Sequence, residues 1–250
     1  MRPLNKGNTP TDAAGNVIAP TDYKNWRLAL INRIGYYCVY CNQTLSHSIQ
    51  VEHVIPKNPP AGYTPGDPLS WDNMLLACGP CNNAKSNQPI DVNTYYLPEE
   101  HNTHLPFSIV QSPIEPQSAI VEAKGGLQNP QTLKANRTIA LLELANIDER
   151  PNIVDIRSIR RKDAMVAVNA ARQLYDVAAQ SLIFNINQAA QNIASQAVAI
   201  GFFSLWYEAF HDVPEVMQQL IGIRGTAQNC FDPANDYEPI NRNPALVDPI

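Results

Sequence analysis

The sequence predicts an α+β fold: a small, cysteine-braced module of short strands in the first half and a mainly α-helical C-terminal region. Three observations carry this expectation. Two Cys-x-x-Cys pairs, Cys38/Cys41 and Cys78/Cys81, enclose 36 residues that read as strand, loop and strand. A sustained helical period begins only after Asn129-Pro130. From Val177 to Tyr207 there is no charged residue, an uncommon property for a helix facing water.

In chain order, residues 1–20 are rich in Pro, Asn, Gly and Thr and read as an irregular N-terminal arm. A module over 21–95 follows. Its first helix starts at Thr21-Asp22, residues suited to a helix N-terminus, and stops at Gly35. Trp26, Leu30 and Ile34 repeat every four residues and predict one buried face. Tyr36 to Cys41 reads as a short β-like run holding the first cysteine pair. Residues 49–55 alternate as a strand, so Glu52 and His53 point to opposite sides unless the strand bends or ends near His53. Five prolines and two glycines make 56–70 a loop, Trp71–Ala77 is the returning strand, and a short helix starts near Pro80. Short strands and turns fill the connector 96–130. A helical domain spans 131–224: one helix is marked by Leu133, Ile139, Leu142 and Leu144, and a second is expected from near Asn152 to about Leu174. Arg157, Arg160, Arg161 and Lys162 are placed on the exposed side of that second helix, a solvated face that offers a phosphate contact as the alternative. Leu182, Ile186, Ala189, Ile193, Ala197 and Ile200 define the charge-free helix, either central to its own domain or docked on another chain. Residues 225–250 form an acidic, irregular tail.

With 250 residues and 44% hydrophobic content the chain has ample material for a core, and 16% charge excludes wholesale disorder. The first residues lack the apolar core of a secretory signal, and no apolar run reaches membrane-spanning length. The expectation is a soluble cytoplasmic protein with no membrane association. A net charge of −5 is unusual for a nucleic-acid binder. Its distribution explains much of it: residues 201–250 carry 7 acidic against 2 basic side chains, while 131–175 carry 8 basic against 5 acidic. The basic footprint is still thin, which points to help from a partner.

Four of the five cysteines form the two pairs, and Cys230 stands apart. Four thiolates delivered from two tight turns suit a closed, structural zinc site, with an iron–sulfur cluster as the less favoured alternative. Beside them lie Glu52, His53, Asn73 and Asn82. Histidine is the natural base near neutral pH. A carboxylate plus an amide oxygen make a hard, partial ligand set with room for water and phosphate, as magnesium prefers. His101 and His104 have metal-like spacing but are read as structural.

Taken together, Glu-His-Val-Ile-Pro-Lys at 52–57, Trp-Asp-Asn-Met-Leu-Leu-Ala-Cys at 71–78 and Cys-Asn-Asn-Ala-Lys at 81–85 resemble the HNH endonuclease family, with its ββα-metal fold, over roughly residues 36–88. The resemblance implies that His53 is the general base. It further implies that Glu52 and Asn82 hold a catalytic Mg2+ or Mn2+, and that Asn73 braces the loop and orients His53. Lys57 and Lys85 are implied as phosphate contacts. Glu52 stands where many members have Asp or His, and Asn82 where many have His. The Val-Glu-His and Pro-Lys segments, with the long helical extension, are also similar to the HNH subunits of Septu- and retron-type anti-phage systems. That narrower likeness implies an ATPase partner, or a homo-oligomer, docked on the helical region.

The sequence thus carries two function classes: a metal-dependent endonuclease cutting DNA, and a non-catalytic, zinc-stabilised module binding nucleic acid or protein. The adjoining carboxylate and histidine favour the first, because an adaptor has no use for them.

Overall fold

A computed structural model of the chain describes residues 1–45, 47–147 and 155–250. It is a mixed helix and small-sheet structure, built on two hydrophobic clusters. The first cluster draws on residues from Met1 to Leu144 and closes with Ile250. The second draws on Val168 to Phe231.

Asp22 caps a 3-10 turn, Tyr23–Trp26, by accepting from Lys24 N–H. The chain then continues as α1 (Arg27–Ile34), which Gly35 ends at φ 83°. Trp26, Leu30 and Ile34 are all buried, as their spacing predicts. The predicted β-like run at 36–41 is instead a tight turn: Cys38 N–H donates to Gln43 O and Asn42 N–H to Cys38 O. The bend turns both sulfurs inward, which a straight strand would not do. β1 (Gln50–His53) pairs antiparallel with β2 (Met74–Ala77), Glu52 opposite Leu75 and His53 opposite Met74. A 3-10 turn, Trp71–Asn73, leads into β2, and α2 (Gly79–Lys85) packs against β1.

β3 (Phe107–Gln111) and β4 (Ala119–Ala123) form a second antiparallel hairpin. α3 (Asn129–Leu141) packs on β4, and its Ala135 and Ile139 join the first cluster. The change of core therefore falls after Leu144 rather than at the start of the helical residues near 131. α4 runs over Ile156–Ala178; its expected start near Asn152 lies outside the described residues. The charge-free stretch divides at Gly201 (φ 82°) into α5 (Ile186–Ile200) and α6 (Phe203–Phe210), followed by α7 (Pro214–Ile221). Ala190, Ile193 and Ala197 of α5 are buried within the second cluster, and α5 packs against α7. Its apolar face is thus used inside the chain. Other apolar side chains are left in water: Val198 on α5 is exposed, and Leu182 and Ile183 are almost fully exposed between α4 and α5.

The N-terminal arm is more ordered than its composition suggests. Leu4 N–H donates to Pro98 O, Asn5 N–H to Gly225 O, and Ala227 N–H to Pro3 O. The C-terminal residues carry a two-residue hairpin, β5 (Phe231–Asp232) with β6 (Glu238–Pro239). They then dock back through Asn243, Asp248 and the buried Ile250. Among the described residues no helix is long and apolar enough to cross a membrane.

Candidate metal centre and histidine site

The four paired cysteines converge. Sγ atoms of Cys38, Cys41, Cys78 and Cys81 lie within 4.8 Å of one another, and all four residues are buried. Zinc–thiolate bonds of about 2.3 Å in a tetrahedron put sulfurs about 3.8 Å apart. The Cys41–Cys78 separation is 3.8 Å. Sulfurs this close enclose one ion and leave no room for the bridging sulfides of a cluster, so the donor set fits zinc. Cys230 is buried and remote in role; burial pushes its thiol up to about 11.

β1 divides its side chains between two faces, and this alternation decides the roles of Glu52 and His53. Gln50 and Glu52 face α2. Asn82 Nδ2 donates to Gln50 Oε1 at 2.8 Å, and Lys85 Nζ meets Glu52 Oε1 at 2.6 Å. Glu52 is 3% exposed and Lys85 1%. Lys85 Nζ also donates to the His53 carbonyl at 2.8 Å. Burial pushes the Glu52 carboxyl up, against the opposing pull of Lys85 and of the Tyr40 phenol beside it. Lys85 is therefore not an open phosphate contact: its charge is spent inside the module. Of the two expected cation ligands, Asn82 keeps Oδ1 without a donor among the described residues, while Glu52 is committed to Lys85. As arranged, the pair does not present a joint oxygen set to a hard cation.

His53 ends β1 and lies on the opposite face. Its Nε2 is 3.2 Å from Pro68 O, and its ring packs against Tyr23 with centroids 4.7 Å apart. A carbonyl only accepts, so Nε2 carries the hydrogen and Nδ1 keeps its lone pair. Burial lowers the His53 pKa below its usual 6.5, and the Lys57 and Lys85 charges add to this, with the Pro68 contact pulling the other way. The ring is neutral, and basic at Nδ1, at neutral pH. Lys57 is exposed beside Tyr23, with its ammonium 5.2 Å from the ring centroid.

Asn73 ties the long loop to the hairpin. Its Oδ1 accepts from Ile55 N–H at 2.7 Å, and its Nδ2 donates to Ile55 O at 2.9 Å and Asp67 O at 3.0 Å. It does not touch the His53 ring. It holds Ile55, two residues past His53, and Asp67, one residue before the carbonyl that His53 contacts. Gly66 is required at this crossing, since a Cβ there would collide with Ile55 O and with Asn73 Nδ2.

Two of the arginines expected on an exposed face are buried instead. Arg157 Nη1 donates to Cys81 Sγ at 3.2 Å, and Arg161 on the next turn is fully buried. Arg160 stays exposed. His101 and His104 are buried singly: His101 Nδ1 accepts from Leu97 N–H, and His104 packs on Tyr207. Neither belongs to a metal-binding group among the described residues.

The family model described as HNH endonuclease matches residues 38–88, about a fifth of the chain. The match takes in all four cysteines together with Glu52, His53, Asn73, Asn82 and Lys85. No curated protein and no solved structure matches the chain.

Proposed function

On the premise that residues 38–88 form an HNH endonuclease domain, we propose that the protein hydrolyses phosphodiester bonds in DNA with His53 as general base. The observation that carries this reading is the His53 contact to Pro68 O, which fixes the tautomer and leaves Nδ1 free. His53 Nδ1 takes a proton from water as the water oxygen attacks phosphorus. The bond from phosphorus to the 3′-oxygen breaks and leaves a 5′-phosphate. Asn73 keeps the loop in the position that aims the ring, and Lys57 meets the phosphate. Bound Mg2+ or Mn2+ would supply positive charge for the departing oxygen; Asn82 would be a ligand, and Glu52 would join it only by leaving Lys85 and turning toward the face of β1 that carries His53. Zinc in the four-cysteine centre holds the two turns together.

The proposal extends to setting. A partner protein, an ATPase or a second copy of this chain, would dock on the helical region, and anti-phage defence in the cytoplasm is the role it would serve. Burial of Ile193 moves that surface away from α5 and toward Leu174, Val177, Leu182 and Ile183.

A second reading rests on the Glu52–Lys85 pair. If that pair never opens, the module holds zinc and binds nucleic acid or protein without cutting. Nicking of supercoiled plasmid by the full chain, with Mg2+ or Mn2+ and with chelator, separates the two. Cation-dependent nicking that disappears in His53→Ala supports hydrolysis. Binding of the plasmid without nicking in any cation supports the second reading.

A further inference from the structure

The helical region touches the four-cysteine centre at both of its turns. At the second turn, Arg157 Nη1 donates to Cys81 Sγ at 3.2 Å. The same guanidinium donates to Leu142 O at 2.8 Å and Glu143 O at 3.1 Å. Asp155 holds it in place with contacts of 3.0, 3.0 and 2.7 Å. Arg161, one turn on, binds Leu144 O, is fully buried, and has an Nη2 with no partner among the described residues. At the first turn, Phe202 N–H donates to Asn42 O at 2.8 Å, and Gly201 bridges Gln43. A side chain at Gly201 would run into Asn42 O, 2.5 Å from the ideal Cβ position, so only glycine permits that approach.

Charge explains why two arginines are buried here. A divalent cation inside four thiolates leaves two negative charges over, in a site where the low dielectric makes them costly. Two buried guanidiniums offset them in part. Asp155 then leaves the ensemble one charge short of neutral. Capping the last carbonyls of α3 accounts for some of these contacts, but not for an N–H aimed at a sulfur.

We propose that Arg157, positioned by Asp155 and assisted by Arg161, is the outer shell of the four-cysteine metal centre, so that α4 is part of the metal site and the domain at 38–88 is incomplete without it. Arg157 is a positioning residue: it touches a ligand sulfur, not the metal. The inference needs the structural zinc and is independent of hydrolysis, so a failure of plasmid nicking leaves it standing.

The test uses the zinc-loaded full chain and follows release of the ion to a colorimetric chelator. Arg157→Met is expected to release zinc at least about 10-fold faster, the usual cost of losing an outer-shell partner. In protein reloaded with Co2+, the same change is expected to move the thiolate-to-cobalt charge-transfer band, which loss of packing alone would not do. Ser158→Ala is the control: Ser158 is buried on α4, and its hydroxyl bonds Ser118 Oγ at 3.1 Å and the Asp155 carbonyl at 2.8 Å, with no bond to a sulfur among the described residues. It should release zinc at the wild-type rate. Asp155→Asn frees the guanidinium without removing it and decides the matter should Arg157→Met fail to fold; faster release than in the control is expected. Wild-type release in Arg157→Met or in Asp155→Asn overturns the proposal, and so does equal acceleration in the Ser158→Ala control.

Discussion

Replacing Asn73 tests the frame around His53 most sharply. Its side chain makes three hydrogen bonds, two to Ile55 and one to Asp67, from a buried position. At about 1 kcal/mol each, Asn73→Ala should cost about 3 kcal/mol, less whatever water recovers in the space left. Asn73→Asp has nearly the same shape, yet it should cost at least as much. It keeps the bond from Ile55 N–H but sets a second oxygen against two carbonyls, and buries a charge. Both changes release the loop segment that carries Pro68 O, the anchor of His53. A misplacement of about 1 Å there lowers turnover by about 100-fold. Gly66→Ala attacks the same crossing from the other side and should give the same phenotype. Urea melts and single-turnover cleavage of a plasmid measure the two effects. An Asn73→Asp protein that melts and cleaves like wild type would show that these three bonds do not hold the His53 anchor in place.

Further outcomes follow from the charges. Because the His53 pKa is lowered, first by burial and then by Lys57 and Lys85, the acid limb of the cleavage rate should have its midpoint below 6.5. Lys57→Gln should move that midpoint upward; a midpoint above 6.5 in the wild type would exclude His53 as the titrating base. Breaking the buried Glu52–Lys85 pair from one side, by Glu52→Gln or Lys85→Met, should cost about 3–5 kcal/mol. The double change should cost clearly less than the sum, and strict additivity in urea melts would show that the pair is not coupled. His101 is held down to about 4, by burial first and then by Lys134, against 6.5 when exposed. Below 6.5 the unfolded chain takes up a proton that the folded chain refuses. Stability should therefore fall as pH drops from 6.5 to about 4, by about 3 kcal/mol in all. His101→Asn should flatten that slope, and an unchanged slope would place the effect on other groups.

Much of this arrangement was legible in the sequence, for reasons of spacing. The two Cys-x-x-Cys pairs announce one tetrahedral site, and the four sulfurs do meet. Trp26, Leu30 and Ile34 announce one helix face, and all three are buried. Alternation along 49–55 placed Glu52 and His53 on opposite sides, as they are, and the strand ends at His53. Other features lie beyond pattern. The His53 anchor is a backbone carbonyl, which residue identity does not encode. Lys85 and Glu52 share no sequence spacing, so only the packing of α2 on β1 reveals that they neutralise each other. Arg157 and Arg161 belong to a run of four cations, and such runs normally face water; the Arg157 guanidinium instead meets a sulfur that lies 76 residues away. The long charge-free stretch concealed a break, because Gly201 is set by a close approach to Asn42 rather than by any change of period.

On the proposed mechanism His53, anchored through Nε2, supplies the base at Nδ1. Chemical rescue tests it most directly. The His53→Ala protein, loaded with zinc and assayed on supercoiled plasmid with Mg2+ or Mn2+, should lose nicking. Added imidazole should restore part of it, with a pH dependence that follows the free base. Equal nicking by wild type and His53→Ala, with no response to imidazole, would exclude His53 as the base.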